Sequence, residues 1–558
     1  MKNKKIGCLI FSAIISMSLV FTGCSNNEKT DKVTSEPKVK EKIVYALNTA
    51  PTGVFNPLIA NTTYDDAVND LVYSSFLTYD KDYNLKDDMA ESHEISSDNL
   101  VYKFKLKKGI KWHDGKDLTM DDIEFTFKTL ANKNYEGSSK DVVEKVKGVK
   151  EYSEGKADSI EGIKVNGDTI EFHFEKPYSV ALGKIGTTPI IPKHIWGDVP
   201  VEKWTESSDL LGNPVGSGPY KFIKFEKGQS VEFERNDDFY GDKAKTKKFV
   251  FKVTNPETVQ GELQNGTVDV ADVSTLKKKD REDLSQKKFE LVNYPKNAIL
   301  YMGINLRQDR FQDVKVRQAL MYGINRKDDL EKRSEGNGVL VNVPMLPSSW
   351  AYPKDAGLNE YNYDVEKSKT LLKEAGWEDK DKDGILENSK DEKFKVKLHC
   401  PSGNKDQEQR ALLIQSNLKD VGIDVEILTM EFSTLMQQVV GDHEFDLYLM
   451  ANMLPIDPDA KPYWHSTAAS DKKNTFGWNI SSYKNPEADK LMEQGIEVSD
   501  MNKRKEIYKD YAKIMNNDVP WVYFFSPNIV KATNPKLKNF TPNTNLDFID
   551  VENWYIEE

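Results

Sequence analysis

Two groups of residues in this 558-residue chain have types and spacing that chemistry uses. His113 stands beside Asp114, a pairing that in a cleft orients an imidazole for proton transfer. Here the pair lies between Trp112 and Gly115, in a run that reads as a turn, so a structural histidine is the expected role. Asp379, Asp381 and Asp383, followed by Gly384, alternate as the first oxygen ligands of a calcium loop do. The twelfth position of that loop is Lys390, where an EF-hand needs a bidentate Glu, and a solvated Asp-Lys-Asp-Gly turn is the competing reading. The seven histidines (His93, His113, His173, His194, His399, His443 and His465) show no clustered ligand spacing, which argues against a transition-metal site. The chain has no Gly-x-Ser-x-Gly elbow, no His-Glu-x-x-His and no phosphate-cradling Gly loop. Neither an enzyme nor a bound cofactor is expected.

The elements that must position any site begin after an export signal. Lys2, Lys4 and Lys5 precede an apolar run from Ile6 to Phe21, then Thr22, Gly23 and Cys24. A charged start, a short apolar core and small residues before a cut make a secretory leader over residues 1–23, too short to span a bilayer as a helix. Ser25 to about Lys40 is polar and charged and cannot bury enough apolar surface to fold, so residues 24–40 are expected to be a flexible tether. Formal charge is -12, or about -15 without the three leader lysines, which argues against nucleic acid as a partner. Cys8 leaves with the leader and Cys400 lies in the strand-like run FKVKLHC, where a packed small residue is expected rather than a nucleophile.

Some 520 residues remain, too many for one core. Lys42–Leu47 and Val101–Leu106 read as strands, and the stretch from Asp65 to Leu77 has helical period. Thr119 and Asp122 have the spacing of a capping box. Asn166-Gly167, between apolar alternating runs, predicts a type I′ hairpin, and Lys227-Gly228 marks another. Beyond Tyr301 strands and helices alternate: Phe394–Cys400, Asp406–Leu418, Val425–Leu428, Phe432–Val440 and Phe445–Met450. That order predicts an α/β lobe with a largely parallel sheet. Trp521–Phe525 reads as one late apolar strand returning to the first lobe.

Several stretches, in order, carry a resemblance. They are Tyr102 to Phe127, including KGIKWHDGKDLTMDDIEFTF; Gly216 to Phe222 with Glu234 to Gly241; Leu263 to Val270; Asp313 to Arg326; and Tyr483 to Leu491. Together they resemble the extracellular solute-binding proteins of family 5, the oligopeptide, dipeptide and nickel class, and most of all the Opp/App-type oligopeptide-binding lipoproteins of ABC transporters. Gly23-Cys24 resembles the lipobox of bacterial lipoproteins, although Phe21 stands where Leu is usual. The resemblance implies a lipid-modified Cys24 and a location on the extracytoplasmic face of the cell membrane. It also implies a two-lobe α/β fold of the periplasmic-binding-protein-like type II class, with an extra subdomain in the first lobe and two crossing hinge strands. Residues 41–80 and 201–300 would then form the first lobe, 81–200 its extra subdomain, 301–520 the second lobe, and 521–558 the return.

The resemblance also implies a function and a site. A monomer would capture an oligopeptide between the lobes and deliver it to an ABC permease with its ATPase subunits; a nickel chelate or another non-peptide solute is the alternative. Two backbone segments would flank the peptide, corresponding to Asn61, Thr62 and Thr63, and to Met450, Ala451, Asn452 and Met453. An Asp that pairs with the peptide ammonium in Opp-type members falls here on Leu454, leaving Asp457 as the nearest acidic substitute, with Asp459 behind it. Asp457-Pro458-Asp459 has the alternative role of turn chemistry. Trp464, Trp478, Tyr301 and Asn305 are expected either to wall the ligand or to pack in the core.

Overall fold

The computed structural model describes residues 38–473 and 477–558; the leader, Cys24 and the tether up to residue 37 lie outside the described residues. The first of two main sheets is built around Lys42–Leu47, which is buried on both faces. Ile43, Tyr45 and Leu47 enter one apolar cluster, while Val44 and Ala46 enter another on the opposite side. A strand with no solvated face belongs in the middle of a sheet, and this one pairs in parallel with Lys248–Val253 and with Val270–Asp272. Ser230–Arg235 and Tyr220–Glu226 extend one flank; Phe525–Thr533 and Glu290–Pro295 extend the other, all antiparallel.

A four-stranded antiparallel sheet, Ala90–Ile95, Val101–Leu106, Thr169–His173 and Ile163–Asn166, forms an added layer within the first lobe. Helix Met120–Leu130 accompanies it and projects Met120, Ile123, Phe127 and Leu130 inward at helical spacing. Its start is fixed by the expected capping box, with the Thr119 N–H donating to Asp122 Oδ2 at 2.9 Å. The 163–173 hairpin departs from expectation by one residue. Asn166 pairs with Thr169, so the two-residue loop is Gly167-Asp168, and only Gly167 has a positive φ, +63°. A glycine first in the loop makes the II′ pattern rather than I′.

The second sheet runs Asp424–Met430, Lys395–Pro401, Leu447–Asn452, Ile299–Ile304, Trp521–Tyr523. Its first three strands are parallel and the helix Lys405–Asp420 supplies the crossover; Ile299–Ile304 is antiparallel to both its neighbours. Phe432–Val440, expected as one helix, is α-helical only to Met436 and continues as a π-helical turn, Gln437–Gly441. Cys400 is fully buried, and burial pushes its thiol up to about 11, the condition of a packed, unreactive residue.

The chain passes between the two sheets twice. It leaves the first at Pro295 and enters the second at Ile299; it leaves the second at Tyr523 and re-enters the first at Phe525. The expected single strand Trp521–Phe525 is therefore two strands in two sheets. Apolar alternation specifies a strand but not its partner, and here Gly303, Met302 and Tyr301 claim Trp521, Val522 and Tyr523. The crossings are bonded to each other: Phe524 N–H donates to Leu300 O at 2.8 Å, and Lys296 N–H to Pro527 O at 2.7 Å.

Candidate functional site

The crossing strands are filled from within. The Tyr301 ring lies flat on Trp521, with centroids 3.5 Å apart and planes 14° from parallel, and the Tyr448 ring meets it edge-on. Gly303 is what allows this, because a Cβ there would come within 2.1 Å of the Tyr448 ring. Tyr301 is 3% exposed and Asn305 is also buried, its Nδ2 donating to Phe445 O at 2.8 Å. Both side chains are packed in the interior.

The edge of Leu447–Asn452 is different. Lys395–Pro401 accompanies it only as far as the pairs Leu398 with Leu447 and His399 with Tyr448. Past Tyr448 that side has no strand partner among the described residues, while the other side stays paired to Ile299–Tyr301. Met450 to Met453 thus present a free strand edge, the feature to which an extended chain can add main-chain hydrogen bonds. Met453 is 59% exposed, and the Asn452 Nδ2 is shielded from solvent without a hydrogen-bond partner. A buried donor left unpaired costs roughly 1–3 kcal/mol, which a carbonyl arriving in the cleft would recover.

Directly beyond this edge, Leu454, Pro455, Pro458, Asp459 and Ala460 form one wall of a small cavity of about 30 Å³. Its other walls include Met345, Leu346, Tyr463, Trp464 and Tyr511. Trp464 is buried and tilted against Trp521 at 4.3 Å, so it serves packing and cavity at once. The Tyr511 hydroxyl is buried without a partner, a second unsatisfied donor on the cavity wall. Trp478 stands 57% exposed and does not line the cavity.

The two acids of the loop have separate fates. Asp457 is held by Arg504 through two bonds of 2.7 Å, and Arg504 is itself fixed by Gly495 O at 2.8 Å and stacked under Trp350. Both Asp457 oxygens are thus engaged by the Arg504 guanidinium. Asp459 lines the cavity, accepts the Lys461 N–H at 3.0 Å and has no ion-pair partner among the described residues. Sequence reading passed over Arg504, 47 positions away in the chain, and Tyr511, because each sits on an ordinary helical stretch with no local mark.

The first lobe closes over this loop. Ser179 N–H donates to Ile496 O at 2.7 Å, Ile496 joins the first lobe's apolar cluster, and Thr544 Oγ1 bonds Ser348 Oγ at 3.1 Å. Lys145, 3.7 Å over the Tyr178 ring, is held below the ordinary lysine range by burial, against the pull of Asp459 across the cleft. Asn61, Thr62 and Thr63 lie at the start of helix Thr63–Val72, with Asn61 and Thr63 exposed. Asp65 anchors them: its buried carboxylate takes the N–H groups of Thr52 and Gly53 at 2.9 and 3.0 Å and the Thr62 hydroxyl at 2.5 Å.

His113 and Asp114 are not a dyad. His113 Nε2 faces Gly218 O at 3.0 Å, and burial depresses its pKa to about 4; Asp114 pairs with His194 instead, at 2.8 Å.

Comparison with known proteins agrees with this architecture. The family described as bacterial extracellular solute-binding proteins, family 5 Middle, matches residues 84–475. The oligopeptide-binding protein AppA of Bacillus subtilis is 31% identical over 565 residues, covering 100% of both chains. The structure of that AppA in complex with a nonapeptide superposes with a TM-score of 0.74 at 29% identity, covering 94% of this chain and 100% of its own. NikZ from Campylobacter jejuni in complex with Ni(L-His) gives a TM-score of 0.74 at 26% identity, covering 92% and 99%.

Proposed function

The chain belongs to family 5 of the bacterial extracellular solute-binding proteins and has their two-lobe type II fold, and from that premise we propose that it is the lipid-anchored receptor of an ABC importer for oligopeptides. The free edge at Met450 to Met453 carries the reading. Peptides of different sequence share a backbone, and a strand edge reads that backbone whatever the side chains. The Asn61 to Thr63 segment faces the peptide from the first lobe. Asp459, rather than Asp457, meets the peptide ammonium.

Closure follows from differential contact. A peptide touches both lobes only when they are together, so it shifts the population toward the closed form. The closed form, a monomer, then docks on the membrane permease and its ATPase subunits. Cys24 carries the lipid that keeps the receptor near that permease. Mass spectrometry of small molecules released by denaturing the purified protein tests the reading. A mixture of peptides is the expected result; a metal chelate or a sugar alone would overturn it.

A further inference from the structure

The loop between helix Val365–Glu374 and strand Lys395–Pro401 lies in the second lobe and takes no part in the cleft described above. Asp379 Oδ2 accepts the Gly384 N–H at 3.1 Å, Asp381 Oδ1 the Asp383 N–H at 3.1 Å, and Asp383 Oδ1 the Ile385 N–H at 2.9 Å. Gly384 supplies the positive φ, +90°, that turns the chain back on itself. These bonds make a loop; they do not make a site. Glu387 adds the independent observation. It is 4% exposed, one oxygen accepts the Lys380 N–H at 2.8 Å, and the other, Oε1, is buried without a hydrogen-bond partner.

Asp379, Asp381 and Glu387 each offer an oxygen, and these atoms lie within 4.8 Å of one another. Two oxygens on opposite sides of a calcium ion are about 4.6–5.2 Å apart, and about 4.1 Å for magnesium. These separations are compatible with one calcium ion shared by the three carboxylates once the Lys393 ammonium moves out. Carboxylates at the first, third and fifth positions, the glycine at the sixth and a buried carboxylate at the ninth replace the EF-hand pattern that Lys390 breaks at the twelfth. Lys393 holds the positive charge within the cluster: its Nζ is 2.9 Å from Asp381, bonded to Asp383, and 3.7 Å from Glu387 Oε1. One ammonium against the four carboxylates of Asp379, Asp381, Asp383 and Glu387 leaves an excess negative charge that a divalent cation satisfies better.

We propose that the Asp379–Glu387 loop is a calcium site, with Asp379, Asp381, Asp383 and Glu387 as oxygen ligands and Lys393 as the internal cation that calcium displaces. Affinity is set low by that competition, in the range of about 10⁻⁴–10⁻³ M typical of extracellular modules. The test is calorimetric titration of the chelator-treated full chain with calcium chloride, with magnesium chloride for comparison. One calcium per chain is expected, with magnesium at least about tenfold weaker. Asp381→Asn, an exposed position that leaves the fold intact, weakens binding about tenfold or more, and Lys393→Gln tightens it by about the same factor. Absence of calcium binding in both the native chain and Lys393→Gln up to about 10 mM, or binding unchanged by Asp381→Asn, would overturn the assignment.

Discussion

The crossing strands and the loop that follows Met453 lie side by side, yet they treat polar groups in opposite ways. At the crossing, Asn305 bonds Phe445 O, Phe524 N–H bonds Leu300 O and Tyr301 stacks on Trp521, with the Tyr523 hydroxyl the exception, buried without a partner. Along the loop and cavity, Asn452 Nδ2 and the Tyr511 hydroxyl are withheld from water and left without one, and the Asp459 carboxylate has no ion-pair partner among the described residues. Groups saturated within the chain hold the fold; the unpaired groups beside the cleft are those an incoming ligand can satisfy.

The sharpest way to break this comparison is to exchange the roles. Tyr301→Ala removes a fully packed ring and is expected to cost about 3–5 kcal/mol of stability, read by denaturant unfolding; a stability loss below 1 kcal/mol with a large loss of peptide affinity would move Tyr301 to the ligand side. Next in size is His113, whose bonds to Gly216 and Gly218 make it a saturated framework group. Its folded pKa, about 4, lies below the unfolded value near 6.5. The unfolded state binds the extra proton between these values, so this contribution is fully present above about pH 6.5 and is lost as pH falls toward 4, by up to about 3 kcal/mol. In His113→Gln that part of the acid destabilisation should vanish, and an identical pH profile would show that the histidine is not the group responsible. Smallest in stability is Asp459→Asn, expected to leave unfolding within about 0.5 kcal/mol of the parent. Its peptide Kd should rise about tenfold, or about 1.4 kcal/mol, for free-amine peptides only. An equal rise for N-acetylated peptides would remove the ammonium contact.

The framework was more legible in the sequence than the cleft, for physical reasons. Thr119 and Asp122 meet within one helical turn, and the alternation of Val101–Leu106 records which face is wet, so local residues suffice to predict both. The split of Trp521–Phe525 was not legible, because the register that assigns Trp521 to Gly303 is a contact between segments far apart in the chain. The bond of Asp457 to Arg504 was not legible, because it joins residues 47 positions apart in the chain. Turn chemistry and amine binding ask for the same residue types, and only the location of the opposing guanidinium separates them. The alternation of Asp379, Asp381 and Asp383 was visible, but Glu387 joined it only through the fold, since its burial is set by pairing with Glu378 and Lys393.

Phe524 is the whole of the second connection between the sheets, one residue where the first has Lys296 to Ala298. A strand has a repeat of two, so its inward and outward positions are counted from the residue at which it begins. With a single residue as spacer, Tyr523 and Phe525 are phased to each other, and the burial of Val530 and Ala532 in one lobe is tied to that of Val522 in the other. Lengthening the spacer by one residue would put the inward positions of Phe525–Thr533 out of step with those of Trp521–Tyr523, so this single residue sets a common reading frame for the two sheets.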